Sequence, residues 1–209
     1  MEAAEAGLEA AMREHATLAK SLSGARAAAA PLLAGAVAER LADLAMEQAS
    51  FDVVLAACDP GPFGVEQAQF VIAPNPGVPA APLRDTASGG ELSRVMLALL
   101  GAAHGGGHAT LVFDEIDAGI GGHTARAVGE QLRALAAGRQ ILAITHLPQV
   151  ASLAARHFTI AKDTAAQTTR TTVTRLADGE VVEELVRMLG ADERDDGARR
   201  HAQELLRAA

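Results

Sequence analysis

Three short stretches of this sequence combine residue types and spacings that chemistry can use. The first is Ser88-Gly89-Gly90-Glu91-Leu92-Ser93-Arg94. A serine with a glutamate three residues later forms a capping box, which suffices to start a helix. Capping does not require two consecutive glycines, and they cost backbone entropy. They make sense where a large anion approaches the backbone at a helix N-terminus, whose free N–H groups and dipole favour negative charge. The second stretch is Leu111-Val112-Phe113-Asp114-Glu115-Ile116-Asp117. Its two adjacent carboxylates, Asp114 and Glu115, follow an apolar strand, at the end where open α/β sheets bind ligands. Neighbours on a strand point to opposite sides, so one acid can support Mg2+ while the other faces a water. Solvated acids in a strand-end loop are the plainer alternative. The third stretch, Ile141-Leu142-Ala143-Ile144-Thr145-His146, is another apolar strand that ends in polar groups at the same edge. A lone histidine is more often structural than catalytic, and the position of His146 beside the paired acids keeps a chemical role open. Gly119, Gly121 and Gly122 would let a loop pass close to a neighbour or ligand.

Elements must hold these residues in place. Residues 1–48 are rich in Ala, Glu, Arg and Leu, a strong helix composition. Leu8, Ala11, Met12, His15, Leu18, Ala19 and Leu22 recur at three- and four-residue steps as one weakly apolar stripe. The interruptions at Ser21–Gly24 and Pro31 predict two helices, about 3–29 and 31–48. A coiled-coil strand fits the stripe better than a core helix, with a plain surface helix as the alternative. Strands are expected at Phe51–Ala56 and Gln69–Ala73, divided by the turn cluster Asp59-Pro60-Gly61-Pro62. A Pro-rich loop, Pro74 to Pro82, leads toward Ser88. Then helices at Leu92–His104 and Thr124–Ala137 alternate with apolar strands at Thr110–Phe113 and Gln140–Thr145. That pattern predicts an α/β fold whose parallel sheet is covered on both faces. Strands at Phe158–Ala161 and Thr169–Leu176, then helices at Glu180–Leu189 and Arg194–Arg207, complete the reading.

Composition sets the outer limits. The 209 residues are 49% apolar, which excludes a disordered chain. No apolar run approaches the ~18–20 residues of a membrane span, and Met1, Glu2 and Glu5 make too acidic an opening for a signal peptide. A cytoplasmic protein with no membrane partner is expected. The single cysteine, Cys58, excludes an intramolecular disulfide framework and a cysteine-rich zinc site. A net charge of −8 argues against a dominant polycationic DNA-binding surface. Of the 18 basic residues only Lys20 and Lys162 are lysines, and neither follows a glycine. No GxxxxGK[ST] phosphate-binding loop can therefore be written in this sequence.

The order of the parts is specific. A glycine-rich helix start precedes a strand ending Asp-Glu, which precedes a strand ending in His. Thr86–Arg94, Phe113–Gly122 and Thr145-His146-Leu147-Pro148-Gln149-Val150-Ala151 together resemble the RecN family. That family belongs to the group of ATPases that includes the structural-maintenance-of-chromosomes (SMC) proteins. The Thr-His-Leu-Pro-Gln-Val run is the most discriminating piece. Another SMC or ABC-type head, or a non-catalytic interaction module of the same fold, are the competing readings. Retention of both Glu115 and His146 weighs against the latter.

The resemblance implies the C-terminal half of an ABC-type ATPase head. Residues 1–48 would be a returning coiled-coil strand and neck, and residues 49–209 the C-terminal lobe. Ser88, Gly89, Gly90 and Glu91 would belong to the signature motif that meets ATP held by an opposing head. Asp114 would support Mg2+, Glu115 would be the general base, and His146 would reach the γ-phosphate. Asp117–Gly122 would form the loop that crosses the dimer interface. Many relatives carry an Asp where this chain has Gly121, so no side-chain role is carried over there. The implied partners are an N-terminal half bearing the phosphate-binding loop, a second head in a head-to-head homodimer, and DNA. The implied setting is double-strand-break repair at the nucleoid.

Overall fold

In the computed structural model, residues 1–85, 89–103, 110–163, 170–192 and 194–209 are described. They belong to two compact units: Met1–Ala42 with Met46–Ala87, and Asp43–Ala45 with Ser88–Ala209.

In the first unit a single helix, α1 (Glu2–Asp43), replaces the two helices expected from Pro31. Thr17 and Val37 are its only β-branched residues, so the sequence opposes helix chiefly at Gly7, Gly24, Gly35 and Pro31. An internal proline costs about 3 kcal/mol through its missing N–H and its clash with the preceding turn. Val37 and Leu41 beyond it are fully buried. Each such burial is worth roughly 1.5–3 kcal/mol, enough to hold the helix in one piece.

The same unit holds an antiparallel sheet of β1 (Ser50–Gly61), β2 (Gly64–Ala73) and the short β3 (Ala81–Pro82), in that order. β1 and β2 pair from Ser50↔Ala73 to Ala57↔Glu66, then irregularly to Gly61↔Gly64. The Asp59-Pro60 step, expected as a turn, falls inside this irregular stretch of strand. There a missing N–H breaks no regular ladder bond. The reversal itself lies at Pro62-Phe63 and ends at Gly64, whose φ of +97° suits glycine. A β-carbon at Gly64 would lie 3.0 Å from Leu22 Cδ2, so the hairpin tip rests on α1. Arg26 Nη1 donates to the Glu66 carbonyl at 3.0 Å across the same contact.

The second unit carries the candidate site. α2 (Gly89–Ala102) precedes β4 (Thr110–Phe113), α3 (Gly122–Leu135) and β5 (Gln140–Ala143). β4 and β5 pair in parallel from Thr110↔Gln140 to Phe113↔Ala143. The Ile144 N–H extends the ladder by donating to the Phe113 carbonyl at 2.9 Å. α4 (Pro148–Ala151) follows, then an antiparallel pair, β6 (Phe158–Asp163) with β7 (Arg170–Arg175). α5 (Asp178–Met188) and α6 (Asp196–Arg207) share a small core of Val181, Leu185, Val186 and Ala202.

The α/β class is as expected, but the covering of the sheet is not. Phe113 is buried and Leu111 and Ile141 are half-buried on one face of the β4–β5 pair. The other face leaves Val112, Leu142 and Ile144 at 63%, 46% and 48% exposure. Only one face is packed. Apolar strands predict a buried sheet wherever covering elements are available, and among the described residues they cover one side.

Where α3 meets α4 the approach is close. A β-carbon at Gly129 would lie 2.5 Å from Leu153 Cδ1 and 3.3 Å from Val150 Cα. Gly129→Ala is therefore expected to destabilise the unit by about 1–3 kcal/mol through overpacking, despite the better helix propensity of alanine. A urea titration should show a lower midpoint with an unchanged slope. A midpoint at or above the parent's contradicts the close approach.

Candidate functional site

The site lies where β4 and β5 end and α2 begins. Its geometry is set first by the turn that follows β4. Glu115 sits at φ +55°, a left-handed conformation that is uncommon for a side chain of its size. Such backbone costs roughly 1–3 kcal/mol and persists only where the surroundings over-determine it. Here they do. Asp114 Oδ1 accepts the Glu115 N–H at 2.9 Å, and Ser93 Oγ on α2 donates to the Asp114 carbonyl at 2.9 Å. The Glu115 carbonyl accepts from the Ala118 N–H at 3.1 Å, and the Asp117 carbonyl from the Ile120 N–H at 3.3 Å. The carboxylates of Asp114 and Glu115 are left exposed.

The paired glycines have a local cause as well. A β-carbon on Gly89 would lie 2.7 Å from Glu115 Oε2. One on buried Gly90 would lie 2.8 Å from Ala118 Cβ and 3.0 Å from the Glu115 carbonyl oxygen. The first turn of α2 thus packs backbone-to-backbone on the loop that carries the two acids. Glu91 is half-buried one turn before Arg94. Ser88 lies outside the described residues.

Two residues given no catalytic, nucleotide or metal role from the sequence tie the site together. Arg94, 7% exposed, donates through Nη1 to the Ala118 carbonyl at 2.9 Å. Among the described residues its buried Nε has no partner. Burial pushes the Arg94 guanidinium below its ordinary value, and the charge of Glu91 opposes that shift. Apolar neighbours Val95, Leu97 and Ala98 on the same helix were the signal that Arg94 sits on an inward face.

Asp117, 3% exposed, is the second. Its Oδ2 accepts from Thr145 Oγ1 at 2.5 Å and from the His146 backbone N–H at 2.8 Å. His146 Nδ1 lies 3.1 Å from the same oxygen, and the His146 side chain is 70% exposed. Thr145 Oγ1 in turn accepts the Leu147 N–H at 3.0 Å. The end of β5 is therefore fastened to the loop after β4 by one buried carboxylate. The structure brings Gly89, Gly90, Asp114, Glu115 and His146 to one edge of the sheet, through Arg94 and Asp117.

The donor set fits part of a Mg–ATP site. No three His, Cys, Asp or Glu groups among the described residues converge as a metal cage. Mg2+ commonly takes one or two carboxylates with phosphates and waters, and exposed Asp114 suits that mode. An exposed glutamate and an oriented imidazole suit the handling of a water and a phosphate oxygen. A triphosphate cradle is not written in this sequence, as the isolated positions of Lys20 and Lys162 dictate.

No family model matches the chain. It is 42% identical over 206 residues to the DNA repair protein RecN of Streptomyces coelicolor, covering 92% of this chain and 36% of that protein. RecN of Treponema pallidum is 47% identical over 151 residues, 71% of this chain and 26% of its own length. RecN of Deinococcus radiodurans is 40% identical over 196 residues, 92% and 34% respectively. The chain thus spans about a third of the length of the curated relatives it matches. Among solved structures, the Smc head domain with a coiled coil and joint from Pyrococcus yayanosii superposes with a TM-score of 0.51. It is 18% identical, covering 83% of this chain and 29% of that one, a likeness of fold alone. Over the portion of its relatives' length that it spans, the chain belongs to the RecN family.

Proposed function

We propose that this chain is the C-terminal part of a RecN-like ATPase that acts in DNA double-strand-break repair and recombination. The observation that carries the reading is the single sheet edge holding Gly89, Gly90, Asp114, Glu115 and His146. Residues 1–48 serve as the returning coiled-coil strand and neck, and residues 49–209 as the C-terminal lobe of the head. The exposed Leu8, Met12 and Leu18 of α1 suit a second coiled-coil strand.

Ser88, Gly89, Gly90 and Glu91 form the signature segment, facing the ATP held by a second head in a head-to-head homodimer. Asp114 holds Mg2+, largely through water. Glu115 orients and deprotonates the attacking water, and His146 faces the γ-phosphate. Bound Mg2+ supplies neutralisation of the phosphate charge. The phosphate-binding loop comes from an N-terminal half of the same head, and its packing on Val112, Leu142 and Ile144 covers the bare face of the sheet. DNA is the expected macromolecular partner because the relatives are named as DNA repair proteins. A cytoplasmic site of action at the nucleoid follows from that role. Among the described residues no helix is long and apolar enough to cross a membrane.

The reading makes this chain half of a site. Alone, it is expected to hydrolyse ATP at background rate, and addition of the half bearing the phosphate-binding loop is expected to restore turnover. The measurement is phosphate release from each half and from the mixture. Robust release by this chain alone sinks the half-site reading.

A further inference from the structure

We propose that Asp117 is a positioning residue for His146, fixing the imidazole proton on Nδ1 and presenting Nε2 as the working atom. The proposal deepens the functional reading and rests on it only for what Nε2 meets. Three polar groups converge on one oxygen, Oδ2 of Asp117: Thr145 Oγ1 at 2.5 Å, the His146 N–H at 2.8 Å and His146 Nδ1 at 3.1 Å. An ionised carboxylate accepts from the Thr145 hydroxyl and the His146 N–H, and at 3.1 Å its charge attracts an Nδ1 that carries a proton and repels one that presents its lone pair. A carboxylate 3% exposed is costly to bury without such donors. Nδ1 therefore carries a proton. A neutral imidazole has one N–H, which leaves the lone pair on Nε2. With 70% of the His146 side chain exposed, Nε2 belongs to the part of the ring that is not held.

The arrangement has two consequences for His146. Its ring orientation is set by a group anchored in the core, because the same oxygen holds the His146 backbone and the Thr145 hydroxyl. Its free nitrogen can accept a proton without any change at Nδ1. The imidazolium so formed stays flanked by the buried carboxylate and can then donate from Nε2 to an anionic oxygen. Asp117 thus sets which ring nitrogen is available. Asp117 lies three residues after Asp114, and its carboxylate is turned inward toward Thr145 and His146.

The test reads the tautomer directly. The 209-residue chain is labelled with 15N-histidine and its imidazole nitrogens are recorded at a pH about two units above the ordinary histidine value of roughly 6.5. His146 is identified among the 7 histidines by the signal lost in His146→Gln. The expected result is a protonated Nδ1 and an unprotonated Nε2. Asp117→Asn keeps an oxygen acceptor without the charge and is expected to move the population toward Nε2–H. Thr145→Val removes a neighbouring donor and is expected to leave the His146 tautomer in place. A wild-type His146 already in the Nε2–H form overturns the proposal, as does an Asp117→Asn chain that keeps Nδ1–H unchanged.

A second readout separates this proposal from the functional reading. In the ATPase reconstituted with its partner half, Asp117→Asn is expected to lower kcat about 10–100-fold with little change in KM. A tautomer set by Asp117 together with unchanged turnover supports the pairing and overturns the role of His146 in hydrolysis.

Discussion

Glu115→Gln, placed in the complete ATPase, is expected to lower turnover by about 10²–10⁴-fold, the range that a positioned general base contributes. Glutamine keeps the size and shape of the side chain and meets no more strain than glutamate at φ +55°. It can still orient a water through its amide, but it cannot take the proton. Asp114, the candidate Mg2+ support, is untouched, and its Oδ1 still receives the N–H of residue 115. Nucleotide affinity and head dimerisation should therefore survive. The expected outcome is a variant that binds ATP and engages its partner head but releases phosphate very slowly. Equilibrium binding of a labelled nucleotide beside single-turnover hydrolysis separates these quantities. Unchanged turnover removes Glu115 from the mechanism.

Gly90→Ala is expected to have the second largest effect, and its contrast with Gly89→Ala is informative. At Gly90 the added methyl meets Ala118 Cβ at 2.8 Å, the Glu115 carbonyl at 3.0 Å and the Ala118 carbonyl at 3.3 Å. Two of these neighbours are backbone atoms of the very loop that carries the acids. They cannot rotate away, so the loop must shift. Overpacking of this kind costs about 1–3 kcal/mol of stability. A displacement near 1 Å at the reacting groups costs about 10²-fold in rate. At Gly89 the methyl meets only the tip of the Glu115 side chain, at 2.7 Å to Oε2, and that tip can turn. Gly89→Ala should therefore spare stability while still displacing the carboxylate. Urea midpoints and turnover, measured for both variants, check the pair. Equal midpoints for the two contradict the backbone contact assigned to Gly90.

The sequence made the parts of this site legible and left its wiring hidden. Apolar strands read at 110–113 and 140–145, each ending in polar residues, were enough to place Asp114, Glu115 and His146 at one edge. The two glycines were read as a place for an anion; the structure adds that the loop carrying Glu115 and Ala118 packs against them. Asp117 stood inside the quoted motif, but nothing in its spacing said that it would turn inward and hold the end of β5. Such a contact spans 28 residues and depends on the register of two strands. Arg94 was half legible: its apolar neighbours Val95, Leu97 and Ala98 mark an inward helix face, but its acceptor, the Ala118 carbonyl, emerges only in the fold.

Local rules failed in the first unit for physical reasons. Pro31 predicts a break on its own, and burial of Val37 and Leu41 beyond it outweighs that preference. Asp59-Pro60 has turn chemistry, but an irregular strand pairing absorbed it. Strands that are apolar throughout predict cover on both faces, and Val112, Leu142 and Ile144 lie exposed instead. That exposure is the feature the proposed partner half accounts for.

In the proposed dimer this chain supplies its signature segment to an ATP site on the opposing head and its acids to a site on its own. Mixing two inactive variants of the complete ATPase tests it most directly. One variant carries Glu115→Gln and the other Ser88→Arg in the signature segment. In a two-fold symmetric dimer each mixed pair contains one doubly altered site and one intact site. Equal mixing is therefore expected to restore about a quarter of the parental turnover. The close approach of Gly89 to Glu115 within one chain makes the opposite outcome concrete. Turnover that stays at the level of the separate variants would mean that both segments serve the same site, and would overturn the exchange of segments between heads.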